Sequence, residues 1–318
     1  VSSRKDEALG EKNTYLVTGG AGFIGSHLAE SLVTEGHDVR VLDNFLTGKK
    51  ANLADFIGDI QLIEGDIRDF STCERALAGV DYVLHQAALP SVPRSIEDPI
   101  VTNEINVSGT LNMLVASKNA KVQRFIFASS SSVYGDDPNL PKAEGMEGAP
   151  LSPYAASKIV GEKYCQVFSH NYGLETVSLR YFNVFGPRQD PDSPYSAVIP
   201  IFITKMKKGE SPTIFGDGEQ SRDFTFVQNV VMGNLLALKA DHVSGEIINI
   251  ACGERITVNT LFAKIRDFHE KDIDPVYEKP RQGDILHSFA DITKANKMLG
   301  YEPAVSLDDG LENTIRWL

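Results

Sequence analysis

The chain of 318 residues carries 43 acidic and 31 basic side chains, and its net charge of −12 excludes nucleic acid as a bulk partner and leaves any anionic ligand to particular arginines. Hydrophobic residues make up 42% and charged residues 23%, enough apolar material for a large core and too much for wholesale disorder. No apolar run approaches the ~20 residues that span a bilayer, the N-terminal VSSRKDEALGEKN has no leader-like apolar centre, and Cys73, Cys165 and Cys252 are widely spaced, so a reduced cytoplasmic protein with no metal site and no membrane partner is expected.

The first half alternates short apolar runs with helical patterns. YLVTGG (15–20) reads as a buried strand entering a glycine turn, HLAESLVTEG (27–36) as a helix ended by Gly36, and DVRVLDN (38–44) as the next strand. IQLIEGDI (60–67), DYVLHQAA (81–88), RFIFASSS (124–131) and ETVSLRYFN (175–183) continue the strands, with helices expected near 71–79, 103–119 and 153–172. This alternation predicts an α/β fold, a Rossmann-type doubly wound parallel sheet covered on both faces. Past residue 183 the pattern loosens through the Pro-rich PRQDPDSPYSAVIP. A nucleotide-binding domain over 14–183 and a smaller C-terminal α/β substrate-binding domain over 184–318 are therefore expected. Segments within 224–250 are regular enough to pack back on the first.

TGGAGFIGSH (18–27) places Gly19, Gly22 and Gly25 between a strand and a helix. Gly19 permits the tight turn, Gly22 admits a pyrophosphate to the backbone, Gly25 lets helix and strand pack closely, and the helix N-terminus faces the anion. Asp43 ends the second strand, where a carboxylate suits the adenosine ribose hydroxyls and repels a 2′-phosphate, so NAD is favoured over NADP. In GDIRD (65–69), Asp66 either holds the adenine amino group or is a surface turn acid. HQAA (85–88) supplies Gln86, Ala87 and Ala88, small enough in the main to let backbone approach a cofactor, whereas His85 reads as a core residue. Phe23, Ile24, Asn44 and Ile67 fall in these segments, Gly48 follows the second of them, and all five are counted with the cofactor site.

PYAASK (153–158) sets Tyr154 and Lys158 on one face of a helix whose start is marked by Ser152 and Pro153. A phenol with an ordinary pKa of about 10 is a poor base at neutral pH. A nearby ammonium and a positive nicotinamide would favour the phenolate. SSSSVYG (129–135) ends the fifth strand, so its hydroxyls and the cofactor share the crevice at the carboxyl ends of the strands.

TGGAGFIG, the serine cluster and YAASK together resemble the extended short-chain dehydrogenase/reductase family. The chain is similar more narrowly to the nucleotide-sugar 4-epimerases, in the branch acting on UDP-N-acetylglucosamine and UDP-glucose. SVPRS (91–95), RYFNVFGPRQDP (180–191), AVIP (197–200), GDGEQSRDF (216–224) and RQGDILHS (281–288) carry the narrower match. The resemblance implies that Tyr154 is the base, that Ser130 bonds the reacting sugar hydroxyl with Ser131 assisting, and that Lys158 holds the nicotinamide ribose. It implies that Asn106 and Tyr181 line the nicotinamide side and that Asn183 meets the substrate phosphates. Arg222 and Arg281, which alone would read as surface residues, would clamp the pyrophosphate, with Asp284 near the uridine ribose. Ser91, Gln189, Ala197 and Val198 match positions near the sugar and uridine. Ser288, four residues after Asp284, would gate the C2 substituent. Pro90 departs from the small residue or lysine expected before Ser91.

The implied reaction has no net redox change. Tyr154 takes the proton of the 4-hydroxyl while hydride passes from C4 to NAD, the flat 4-keto sugar swings, and both return to the opposite face. A UDP-sugar substrate, tightly held NAD and a homodimer formed through the helices near 103–119 and 153–172 are implied with it. UDP-glucuronate 4-epimerase is the nearest rival. Dehydratases and decarboxylases of this scaffold carry an acid where Ser130, Ser131 and Ser132 stand, and a non-enzymatic NAD-sensing module would not need both Tyr154 and Lys158.

Overall fold

The computed structural model describes residues 12–135, 137–191, 197–269, 271–280 and 286–318; Arg281 and Asp284 lie outside the described residues. Twelve elements of the first half position the site: β1 (Thr14–Thr18), α1 (Phe23–Thr34), β2 (Asp38–Asp43), β3 (Ile60–Glu64), α2 (Phe70–Leu77), β4 (Tyr82–His85), α3 (Val92–Glu97), α4 (Pro99–Asn103), α5 (Thr110–Ala120), β5 (Arg124–Ser130), α6 (Pro153–Tyr172) and β6 (Glu175–Tyr181). The six strands and the strand Glu246–Ile250 form one sheet in the order β3-β2-β1-β4-β5-β6 followed by Glu246–Ile250, and every pairing is parallel. The order reverses between β1 and β4, which opens a crevice at their carboxyl ends. There Thr18 is in register with Leu42 on one side and His85 on the other.

Each face of the sheet is buried. Leu28 and Leu32 of α1, with Val230 of the helix Val227–Lys239, pack over Val41, Ile126, Leu179 and Ile248. Cys73, Leu77, Leu114 and Phe168, from α2, α5 and α6, cover Leu16, Phe125 and Phe127 on the other face. Strands buried on both sides account for the near-continuous apolar runs in the sequence. A third core joins Phe185 and Phe226 to the helices Val198–Lys208, Val258–His269 and Leu307–Trp317. Beyond residue 183, Ser221–Arg222 pairs with both Ile256–Thr257 and His287–Ser288, setting Ser288 in register with Arg222.

Two helices differ from expectation. α1 opens at Phe23, directly after the glycine turn, because Gly22 already serves as its N-cap; the apolar Phe23 and Ile24 gave no helical signature of their own. The helix expected over 103–119 breaks into α4, a π-helical turn over Glu104–Gly109, and α5. A wider turn of this kind is invisible to a 3.6-residue periodicity and is frequent at functional sites. α6, by contrast, spans 153–172 as expected: Ser152 Oγ accepts from Ala155 N at 3.1 Å, and Gly173 terminates the helix at φ 69°. No helix among the described residues is long and apolar enough to cross a membrane.

Candidate active site

The glycine turn is closed by contacts that only glycine permits. A Cβ on Gly25 would lie 2.2 Å from the Gly19 carbonyl oxygen, and one on Gly19, at φ 66°, would lie 2.8 Å from Ala87 Cα. β1, α1 and the segment after β4 therefore meet at backbone distance. The cleft they leave, about 1090 Å³ and open to solvent, is lined by Gly19, Gly22, Phe23, Ile24, Gly25, Asp43, Asn44, Asp66, Ile67, Gln86, Ala87 and Ala88, and at its far end by Tyr154, Lys158 and Tyr181. The helix start facing it has no side-chain cap. An uncapped N-terminus over a backbone-lined cradle fits the pyrophosphate of a dinucleotide.

Acids close the end of the cleft beside β2 and β3. Asp43 is buried and accepts from Ala21 N at 2.9 Å and Phe45 N at 2.8 Å; burial raises its pKa and these two bonds oppose the rise. Gly48 stands behind it, where a Cβ would meet the carboxylate at 2.9 Å, so Gly48 makes room for Asp43 and does not itself line the cleft. Asp66 is lowered to about 2 by Arg68, which bonds both its oxygens, and it also accepts from Asn44 at 2.8 Å.

At the far end, Gln86 donates to the Tyr181 hydroxyl at 3.1 Å, which donates to Asn234 at 3.0 Å. Asn106 does not line the cleft. Its amide is consumed elsewhere, accepting from Leu89 N at 2.7 Å and donating to Leu89 O and Ser157 Oγ. The π-helical turn thus carries Asn106 into a three-way tie between the loop after β4 and α6. His85 is likewise a core residue, held between Thr18 and Thr110, with burial taking its pKa down to about 3.

α6 lies close on β5 because Gly161 faces Phe127, where a Cβ would sit 2.3 Å from the ring. The Lys158 ammonium is buried, donates to Ala128 O at 2.8 Å and falls to about 8 through desolvation, which the charge of Glu162 opposes. The phenol of Tyr154 does not behave as expected from its neighbour. Burial raises its pKa, and the opposing influence is a hydrogen bond with Ser130, not the ammonium. The lysine's proton points at a carbonyl, and in the chain by itself desolvation outweighs it.

Tyr154 also borders a second cavity of about 1060 Å³, lined by Ser91, Ser130, Ser131, Ser132, Asn183, Lys142, Arg222 and Ser288 among others. Ser91 sits there at φ 95°, a strained backbone for a non-glycine residue. Asn183, at φ 32°, donates to Asp223 O at 3.0 Å. Asn183 and Arg222 are shared with a third cavity of about 860 Å³, an apolar slot that Ala197 and Val198 line together with Phe185, Phe202, Phe215 and Phe224. Gln189 lines none of the three; its amide donates to Val184 O at 3.2 Å. Cleft, chamber and slot share their walls and run as one trough from the glycine turn to the C-terminal half.

The family described as NAD dependent epimerase/dehydratase matches residues 15–251. The chain belongs to that family. Three solved structures resemble this member over nearly its whole length. A UDP-N-acetylglucosamine 4-epimerase from Methanobrevibacter ruminantium, in complex with UDP-N-acetylmuramic acid, is 43% identical with TM-score 0.93 and covers 97% of this chain and 98% of its own. A UDP-glucose 4-epimerase from Thermotoga maritima, with UDP-glucose, is 41% identical with TM-score 0.91, covering 96% and 98%. A UDP-glucuronic acid 4-epimerase from Bacillus cereus, with UDP-glucuronic acid and NAD, is 35% identical with TM-score 0.89, covering 96% and 98%. As an epimerase of this family the protein is an NAD-dependent isomerase, and the doubly wound sheet is the family's own.

Several site residues escaped the sequence. Lys142 enters the chamber wall because its backbone pairs with the segment after Ser288: Lys142 N donates to Phe289 O and Asp291 N donates to Lys142 O. Asp223 is wholly buried and accepts from Cys252 N, Gly253 N and Ala290 N, so it staples three segments beside Arg222. Its acid next to Arg222 was the available signal. Lys142 had none, since a lysine in a Pro-rich loop reads as surface.

Proposed function

We propose that the protein interconverts the C4 epimers of UDP-sugars, UDP-N-acetylglucosamine with UDP-N-acetylgalactosamine and UDP-glucose with UDP-galactose. The observation that carries this is the chamber: Tyr154 and Ser130 border it, Arg222 and Ser288 border it in register, and no Asp or Glu lines it among the described residues. An elimination at C5 and C6 needs a carboxylate beside the strand end, and serines occupy that place.

NAD, when bound along the cleft, supplies the hydride acceptor and donor for C4. The rest falls to the chain. Tyr154 Oη takes the proton of the C4 hydroxyl as the ketone forms and returns it afterwards, with Ser130 bonding the same oxygen. Lys158, at the far end of the cleft, would hold the nicotinamide ribose. Arg222 meets the pyrophosphate, which the guanidinium fork suits, and the aromatic slot takes the uracil. Held through its nucleotide alone, the ketone turns in the chamber and presents its other face. Ser288, a small side chain, leaves space for an acetamide at C2.

UDP-glucuronate is the second reading, supported by the likeness to the Bacillus cereus UDP-glucuronic acid 4-epimerase. Incubation with each UDP-sugar, without added NAD, followed by chromatography of the products, separates the two. Equilibration of the N-acetylated and plain pairs supports the first, and turnover of the uronic acid alone overturns it. We also propose a homodimer, supported by the exposed Ile96 and Ile100 on α3 and α4 and Val167 and Tyr172 on the neighbouring α6. Light scattering giving a monomer mass at micromolar concentration would remove that part.

A further inference from the structure

Glu162 is fully buried on α6, one turn beyond Lys158 and two beyond Tyr154. Its Oε1 accepts from Arg180 Nε at 2.8 Å and Ser129 Oγ at 2.5 Å, and its Oε2 accepts from Arg180 Nη2 at 2.7 Å. Arg180, on β6, is equally buried, stands over the Tyr134 ring at 4.8 Å and donates also to Glu147 at 2.5 Å. Net stability does not account for such a pair, because well-packed apolar residues of similar volume are often as stable. What the pair touches does. Ser129 lies between Ala128, whose carbonyl accepts from Lys158 Nζ, and Ser130, which lines the chamber together with Tyr154.

We propose that Glu162, fixed by Arg180, is a positioning residue for the reaction: through Ser129 it locks the β5 end that carries Ser130 to the helix that carries Tyr154 and Lys158. The proposal rests on the roles given to those three residues above. Titratable groups facing Lys158 are Tyr154, Glu162 and Cys165 on α6 and His85 on β4, with Arg180 behind Glu162. Burial keeps the Cys165 thiol neutral, pushed up to about 12, and the His85 ring neutral, pushed down to about 3. Tyr154 is raised as well. Of these neighbours Glu162, at i+4 on the same helix, is the one that chiefly favours the ammonium.

The test follows Lys158 by NMR in protein labelled with carbon-13 at lysine Cε, with the resonance assigned by Lys158→Met. Losing the carboxylate disfavours the ammonium, so Lys158 should titrate at least about one pH unit lower in Glu162→Gln than in the wild type. In the same variant kcat should fall about 10²-fold, with KM nearly unchanged, as expected for reacting groups displaced without loss of substrate binding. Glu162→Gln/Arg180→Met removes the stranded cation too. It should recover thermal stability but not kcat, and it carries the test if the single variant fails to fold. An unchanged Lys158 midpoint in Glu162→Gln, or recovery of kcat together with stability in the double variant, overturns the proposal. The titration needs no turnover, so a wild type that epimerises no UDP-sugar would overturn the functional reading and leave this measurement decisive for Glu162.

Discussion

The Lys158 ammonium lies 5.8 Å from the centroid of the Tyr154 ring and donates to the Ala128 carbonyl at 2.8 Å. Helical spacing brings the two side chains to one face, but the lysine's proton is directed at the strand, and the group that opposes the rise in the phenol's pKa is Ser130. Both side chains line the same end of the cleft.

Replacing Tyr154 with Phe removes the proton acceptor and leaves ring packing intact. Turnover of UDP-sugars should drop about 10²–10⁴-fold, while NAD content and melting temperature stay near wild type. A variant within tenfold of wild type, order of magnitude, would return the base role to another group.

Asp43 is held by two backbone N–H groups and cannot swing away from a ligand at the adenosine ribose. A 2′-phosphate there would meet a fixed carboxylate. Protein purified without added cofactor should release NAD on denaturation, identified by mass spectrometry. Finding mainly NADP would contradict the assignment.

Ser288 shares the chamber with Ser130 and Tyr154. Ser288→Tyr should fill the space for an acetamide and abolish turnover of the N-acetylated pair while sparing the glucose pair, because added bulk in a packed pocket rejects the larger ligand and burdens the smaller one little. Equal loss on both pairs, or no change on either, would remove Ser288 from the gate.

Asp223 has its pKa raised from 3.8 to about 6 by burial, against three backbone bonds. A folded-state pKa above the unfolded one means that its contribution to stability is complete below pH 3.8 and is lost as pH rises through about 6. The stability difference between wild type and Asp223→Asn, from urea unfolding, should therefore shift against the wild type by about 2 kcal/mol between pH 4 and 7. A difference that stays flat over that window would show that the carboxyl does not titrate there.

What could be read from the residues was local. Gly19, Gly22 and Gly25 announce their turn because no other residue fits such contacts, and Ser152 and Pro153 mark the start of α6 by chemistry confined to one turn. The strands of the first half stand out because both their faces are buried. Non-local relations were not legible. Arg222 meets Ser288 through strands of two residues each, too short for a pattern. Glu162 and Arg180 look like ordinary charges on a helix and a strand until the fold buries both. Asn106 carried a cofactor expectation, yet the π-helical turn directs it to Leu89 and Ser157.

The strand Glu246–Ile250 gives the first half a delayed ending. It pairs with β6 from Val177 to Tyr181, and the whole of residues 182–245 intervenes. A nascent chain that has emerged only as far as the trough's aromatic slot carries β6 as a bare edge, with Val177 and Leu179 lacking their covering partners and a row of open backbone groups available to other chains. Completion of the seven-stranded sheet during synthesis thus waits for residues 182–245 to be made, and the two ends of the trough mature together.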